Sequence, residues 1–278
     1  MEIVERLSEE NTLLESGINV NEVNEHGNTP LYLAAENEHL DVVKSLIEHN
    51  ADVDKANERG YTPLGAAAKN GNSDIVKLLI EKKADVNKAD ECGYTPLFCA
   101  AQNGNRDIVK LLIEHNADVN TTNNQGRTPL FWAAWMGDLN KMKVLIEYNA
   151  DVNKANDDEY TPLYIACFTG HLDAAKLLIE HNADVNKSNK YGWTPLHISA
   201  ERGHLDIVKL LIEHNANVYA VTSEGRTALD VTMEKDNYRM PLVVTKEKVD
   251  GVKVDDILKQ DYEEITSVLE KTMDVVRK

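Results

Sequence analysis

The chain has 278 residues, 42% of them hydrophobic and only 6% aromatic, so one or two domains with an aliphatic core are expected. Its formal net charge of -17 opposes docking on nucleic acid or anionic lipid, which need a basic stripe. No apolar run approaches the ~20 residues needed to cross a bilayer, and the acids of "MEIVERLSEE" do not suit a signal peptide.

Near the start, residues 13–24 read "LLESGINVNEVN", a copy of the second half of a unit that recurs along the chain. Thr-Pro-Leu then appears at 29–31, 62–64, 95–97, 128–130, 161–163 and 194–196, with Thr-Ala-Leu at 227–229, and every step is 33 residues. A fixed period of this size marks a stacked repeat architecture. Each unit opens with a helix start: a Thr hydroxyl to accept an orphan backbone N–H, then Pro, which has no N–H to leave unpaired. Leu and paired alanines follow, and the short helix stops at Gly71, Gly104, Gly137, Gly170 or Gly203, suited to a left-handed C-terminal position. A second helix such as "DIVKLLIEH" presents Ile108, Val109, Leu111 and Leu112 on one face. It ends at Asn50, Asn116, Asn149, Asn182 or Asn215, with Lys83 in the same place in repeat 2, where it should cost a little. A polar turn bearing Gly27, Gly60, Gly93, Gly126, Gly192 or Gly225 leads to the next unit.

After Thr227 the pattern fails, with Pro241 where a second helix should run. "LVVTKEKVDGVKV" alternates around Asp250-Gly251 as a short hairpin would. From Asp255, Leu258, Tyr262, Ile265, Leu269, Met273 and Val276 have helical spacing. The organisation expected is a capping half-repeat over 1–23, seven repeats over 24–254 with the last degenerate, and a capping helix over 255–278. That helix seals the last repeat or is offered to a partner.

These residues resemble the ankyrin repeat. Repeat 6 is nearest, with Thr194-Pro195-Leu196-His197, Gly203-His204-Leu205 and Ala216-Asn217-Val218. The resemblance covers roughly residues 1–240 and implies an all-α ankyrin-repeat solenoid of helix-turn-helix units with β-turn or hairpin loops. An elongated monomer is expected, because each repeat touches only its neighbours.

No catalytic pattern stands out. His49, His115, His181 and His214 share one phase, and so do His39, His171 and His204; neighbours a repeat apart (~10 Å) cannot share a metal bound at ~2 Å. The acids recur on solvated positions, and no phosphate loop, nucleophile elbow or dinucleotide fingerprint is present. Cys92, Cys99 and Cys167 are the only cysteines, none at zinc-site spacing, which suits a reducing, cytoplasmic compartment. Cys99 and Cys167 are expected to be buried on first helices, and Cys92 lies on a turn. No catalytic residue, cofactor or metal is expected.

If framework letters build the fold, changing letters carry function. In ankyrin-repeat proteins partners usually lie against the turn tips and the exposed side of the first helices. At the ends of those helices, outer repeats carry charge and amide, whereas repeats 4 and 5 carry Trp135, Met136 and Phe168. Trp193, Tyr160 and Arg127 follow the turn position of Gly, and Tyr191 and Arg202 stand close by in sequence. Large aromatics and Arg dominate binding hot spots. Trp132 falls at a phase otherwise held by Leu33, Ala66, Cys99, Ile165 and Ile198 and is read as buried, while the exposure of Phe98, Phe131 and Tyr164 stays open. Repeat 5 reads "NDDEYTPL", which puts Glu159 in the Gly slot and Asp157 and Asp158 on the same tip, suiting a partner with a basic segment.

The function expected is a non-enzymatic protein-binding module, an adaptor, scaffold or inhibitor that holds another protein on its concave face. The alternatives are a reader of methylated Lys in a cage of Trp135, Phe168 and Trp193, and an enzyme with an unrecognised site. Richness in Lys, Asn and Ile admits an effector of an intracellular bacterium, acting in host cytosol, as one source among many.

Overall fold

A computed structural model describes residues 19–103, 105–237, 248–249 and 252–276. The expectations for residues 1–18, Gly104, Pro241, Asp250, Gly251, Arg277 and Lys278 lie outside the described residues. The helices alternate short and longer: α1 (Pro30–Glu36), α2 (Leu40–Glu48), α3 (Pro63–Asn70), α4 (Ser73–Glu81), α5 (Pro96–Asn103), α6 (Arg106–Glu114), α7 (Pro129–Met136), α8 (Leu139–Glu147), α9 (Pro162–Thr169), α10 (Leu172–Glu180), α11 (Pro195–Glu201) and α12 (Leu205–Glu213). Then come α13 (Ala228–Asn237), β1 (Lys248–Val249), β2 (Val252–Lys253) and α14 (Val254–Val276). The strands pair antiparallel, Lys248 with Lys253 and Val249 with Val252.

The starts and stops follow from single residues. The hydroxyls of Thr29, Thr62 and Thr161 accept the N–H three residues on at 3.0, 3.0 and 3.1 Å, capping helices whose first residue is Pro. At the ends of the second helices Asn50, Asn116, Asn149, Asn182 and Asn215 all take positive φ, and Lys83 takes it too, at 66°. First helices stop at left-handed Gly71, Gly137, Gly170 and Gly203; in repeat 1 that slot holds Glu38, φ 64°.

The described residues fall into two compact units, one bounded by Met1–Ala133 and Asn140–Asp151, the other by Ala134–Leu139 and Val152–Lys278. In the first unit α1 packs on α3 and α3 on α5, while α2 packs on α4 and α4 on α6. Leu31, Leu64 and Leu97 are wholly buried between first helices, beside alanines that allow close approach. In the second unit α9, α11 and α13 stack in the same way, and α10 packs on α12.

Side chains tie each turn to the next. Asn21 Oδ1 accepts the N–H of Asp52 at 2.8 Å, Asp54 that of Asp85 at 2.9 Å, and Asn87 and Asn120 those of Asp118 and Asp151, both at 2.8 Å. The second unit repeats the rung with Asn153 to Asp184 and Asn186 to Asn217 at 2.8 and 2.7 Å. The next residue in phase is Tyr219, and its hydroxyl donates to the Met273 carbonyl of α14 at 2.5 Å. Helix α14 packs on α12 and α13 with Ile265 and Leu269 fully buried. The Tyr262 hydroxyl donates to Glu201 O at 2.8 Å, and Lys209 pairs with Glu264 at 2.7 Å.

Candidate partner-binding site

The ends of α7, α9 and α11 bring three variable residues of the second unit into one column. The Trp135 ring stacks on Phe168, with centroids 5.9 Å apart and planes 28° apart. On Phe168 also lies the Arg202 guanidinium, 4.0 Å from the ring centroid, close enough for a cation–π contact. Trp135 stays 39% exposed and neighbouring Met136 56% exposed. Both rings are set on fixed backbone. His171 Nε2 lies 3.1 Å from the Trp135 carbonyl oxygen, and His204 is hydrogen-bonded to the Phe168 carbonyl. Gly137 and Gly170 make room for these imidazoles, since a Cβ at either would come within 2.7 Å of the ring. Burial, and then the Arg202 charge, pull His204 below the ordinary histidine pKa against the Phe168 hydrogen bond, which raises it. The in-phase histidines thus serve as turn anchors here.

The charges around this column differ in how they are used. At the tips, Lys190 pairs with Asp158 and lies 5.2 Å from the Tyr191 ring centroid; Arg226 pairs with Glu224 at 2.6 Å. Among the described residues the Arg202 guanidinium has no carboxylate at salt-bridge distance. Asp157 is exposed, so of the two acids expected to meet a basic partner one is already neutralised within the chain.

The other candidates are dispersed. Tyr160 is half-buried and stacks on Tyr164, centroids 4.8 Å apart; burial and then Asp158 raise its pKa. Tyr191 is 50% exposed on its tip. Trp193 does not join Trp135 and Phe168 through any contact described: its ring faces His197 at 6.0 Å and lies under Arg226 at 5.7 Å. Of the three rings expected to form a methyl-lysine cage, Trp135 and Phe168 stack on each other while Trp193 has other partners, and one face of Phe168 already carries a cation. Arg127 belongs to the first unit, where its guanidinium covers Phe131 and Trp132 at 5.7 and 5.6 Å. Trp132 is half-buried rather than buried, edge-on to Phe98 at 6.2 Å. The phase is not uniformly buried: Leu33 and Cys99 are half-buried there as well, whereas Ala66, Ile165 and Ile198 are buried. Phe98, Phe131 and Tyr164 are buried.

Cys167 is buried and Cys99 half-buried, so the expectation for Cys99 is corrected; desolvation pushes both thiols up to about 12, away from thiolate chemistry. Among the described residues no group of three or more His, Cys, Asp or Glu is placed to hold a metal ion. No described helix is long and apolar enough to cross a membrane.

Stacked helix pairs closed by left-handed residues and joined turn to turn define a helical-repeat protein. The family model for ankyrin repeats (3 copies) matches residues 2–90, 85–156, 122–189, 153–222 and 186–243. The chain belongs to the ankyrin-repeat family, whose members generally mediate protein–protein interaction and are typically non-enzymatic. No match was found among curated proteins.

Proposed function

We propose that this chain is a non-enzymatic adaptor or inhibitor that grips a partner protein at the ends of α7, α9 and α11. The observation that supports this reading is the Trp135–Phe168–Arg202 column, exposed and anchored through backbone carbonyls. Aromatic and Arg side chains held in place contribute most to binding because little rotamer freedom remains to be lost. The partner places an apolar side chain on Trp135 and Met136 and an acidic one on Arg202. A basic partner segment is less well supported, since Asp158 is occupied by Lys190.

The test is affinity capture from cell lysate with quantitative mass spectrometry, followed by affinity measurement on the captured partner. Trp135→Ala or Phe168→Ala should weaken binding about thirtyfold, the equivalent of ~2 kcal/mol for a central anchor. Lys176→Ala on α10 is the control, because its pair with Asp173, at 3.9 Å, is exposed. Lys69 and Asn70 would be poor controls: Asn70 donates to Glu36 O at 2.6 Å, and both line a cavity. Undiminished binding by both ring variants would overturn the site.

A further inference from the structure

Repeat 2 lacks a contact that the repeats after it keep. In repeats 3 to 6 the residue before the capping Thr lies against a ring four positions on. Tyr94 meets Phe98 at 4.6 Å, Arg127 covers Phe131 at 5.7 Å, Tyr160 stacks on Tyr164 at 4.8 Å and Trp193 faces His197 at 6.0 Å. In repeat 2 the first member is Tyr61, and four positions on stands Gly65. Among the described residues Tyr61 makes no contact with another ring. Nothing in the backbone asks for glycine here: Gly65 lies inside α3 without positive φ, and a Cβ built on it would meet only Thr62 Oγ1, at 3.3 Å. Glycine within a helix is destabilising relative to alanine, so the residue weakens α3 without easing any strain. What it leaves is room. A cavity of about 560 Å³ opens over Gly65 beside the half-exposed Tyr61 ring, a volume in the range of pockets that bind small ligands or side chains.

The charges that line this groove are Glu36, Glu58 and Asp90 against Arg59, Lys69 and Lys88, with His26 at its edge. The formal charges cancel, so what selects a ligand is which of these groups are left unbonded. Glu36 accepts the Tyr32 hydroxyl at 2.9 Å, and Lys88 Nζ donates to Asp54 O at 2.7 Å. Asp90 Oδ1 accepts the N–H groups of Cys92 and Tyr94, both at 2.8 Å, and its other oxygen is buried, out of a ligand's reach. His26 lies 3.7 Å from Glu25. Arg59 and Lys69 are both exposed, and among the described residues neither has a carboxylate at salt-bridge distance. Glu58 is the one acid of the lining that is exposed and unbonded, next to Arg59 in the turn. Two cations therefore stand uncommitted against one acid. They also stand apart: Arg59 is on the turn tip before α3, and Lys69 is in the last turn of that helix, with Gly65 between them in sequence.

We infer that the groove over Gly65 is a second docking site, in the first unit, for a partner segment that carries an aromatic residue between acidic ones. The ring enters the space left at Gly65 and lies against Tyr61, making the contact that repeats 3 to 6 make from within; such ring pairs contribute beyond the area they bury. The flanking carboxylates meet Arg59 at the tip end and Lys69 at the helix end. Exposed ion pairs of this kind add little affinity and mainly choose the sign of the partner. This inference rests on the chain's membership of a family of protein-binding modules and not on the Trp135–Phe168–Arg202 column.

The test is an NMR titration of the ¹⁵N-labelled full-length chain, at low salt, with the blocked tripeptide acetyl-Glu-Phe-Glu-amide. Saturable shifts should cluster at Tyr61, Gly65, Ala66 and Lys69. Acetyl-Gln-Phe-Gln-amide should bind about fivefold more weakly, as two exposed ion pairs would give, and the difference should shrink at high salt. Acetyl-Glu-Ala-Glu-amide, which has the charges without the ring, should give no saturable shifts at these residues. Gly65→Phe, which supplies the ring of repeats 3 and 4, should abolish binding of the first peptide, and Arg59→Gln with Lys69→Gln should remove its advantage over the second. Absence of saturable shifts in the wild-type chain overturns the site even if Gly65→Phe does not fold. Equal binding of the ringless peptide overturns the role of the ring, and equal affinity for the Glu and Gln peptides at low salt overturns that of the cations. Undiminished binding by folded Gly65→Phe overturns the location.

Discussion

Glu159 sits in a slot that elsewhere belongs to glycine, and its replacement by Gly should stabilise the protein. Its φ is 63°, the left-handed region, which costs a non-glycine residue roughly 1–2 kcal/mol. The slot is also crowded. A Cβ at Gly60 would come within 2.8 Å of Asp90 Cα, one at Gly93 within 2.8 Å of Asn123 Cα, and one at Gly192 within 2.9 Å of Ser223 N. Glu159 carries that Cβ, and the next turn stands further off. The bond between tips, from Lys190 N to Asp158 O, is 3.4 Å, against 3.0 Å for Glu91 to Arg59 and 2.9 Å for Ser223 to Tyr191. In Glu159→Gly the left-handed penalty disappears and the bond can shorten, adding a fraction of the ~1 kcal/mol of a hydrogen bond. Against this stands the greater freedom of glycine in the unfolded chain, about 0.4–1 kcal/mol. The net gain should be about 0.5–1 kcal/mol, read as a higher urea midpoint with unchanged slope. Gly192→Ala, at φ 76° and with no room for its Cβ, should lose at least about 1 kcal/mol. If Glu159→Gly is no more stable than wild type while Gly192→Ala is tolerated, the account of this slot is wrong.

Lys141 is 3% exposed at a phase held by Val42, Ile75, Ile108, Ala174 and Ile207, and its Nζ donates to Ala101 O at 2.8 Å. Lys141→Met should be neutral or stabilising by up to ~2 kcal/mol, whereas Lys141→Ala should cost about 2–3 kcal/mol; equal losses in chemical denaturation would show that the ammonium itself stabilises. Burial is the main cause lowering the pKa of both His197 and His204. The unfolded chain therefore takes up protons first, so their stabilisation is full above the unfolded value, about 6.5, and is lost as pH falls below it. His197→Tyr should lose less stability than wild type between pH 7.5 and 5.5, and parallel profiles would refute this. Ending the chain after Asn237 removes the buried Ile265 and Leu269, which should cost roughly 3–6 kcal/mol and show as earlier melting or aggregation. Unchanged melting would make α14 a segment offered to a partner and not a cap.

What could be read from the sequence was whatever a single position decides. Thr caps, left-handed Asn and the awkward Lys83 and Glu159 are local backbone chemistry, and a residue's phase within its unit is enough to place them. Contacts between units were harder. Phe168 and Arg202 meet across 34 positions and Asp158 and Lys190 across 32, and side-chain direction decides such pairs, not phase. For that reason the sequence shows Arg202 but not its stack on Phe168, and Asp158 but not its Lys190 partner. Phase alone does not place Trp132 either, because residues at that phase range from buried Ala66 and Ile165 to half-buried Leu33 and Cys99.

The rungs from Asn21 to Asn186 make copy number a quantised property of this protein. Each rung joins a side chain of one unit to the backbone of the next, at 2.7–2.9 Å, through Asn or Asp at a constant phase. Excision or duplication of a whole 33-residue unit rejoins an equivalent pair, and the junction closes as before. An insertion of one residue between rungs leaves an amide without its acceptor. At Tyr219 the series changes hands: the hydroxyl reaches α14, and no further unit can be added beyond it without first displacing that helix. A whole unit exchanged before Tyr219 leaves that contact with the final helix intact, whereas one added after it does not.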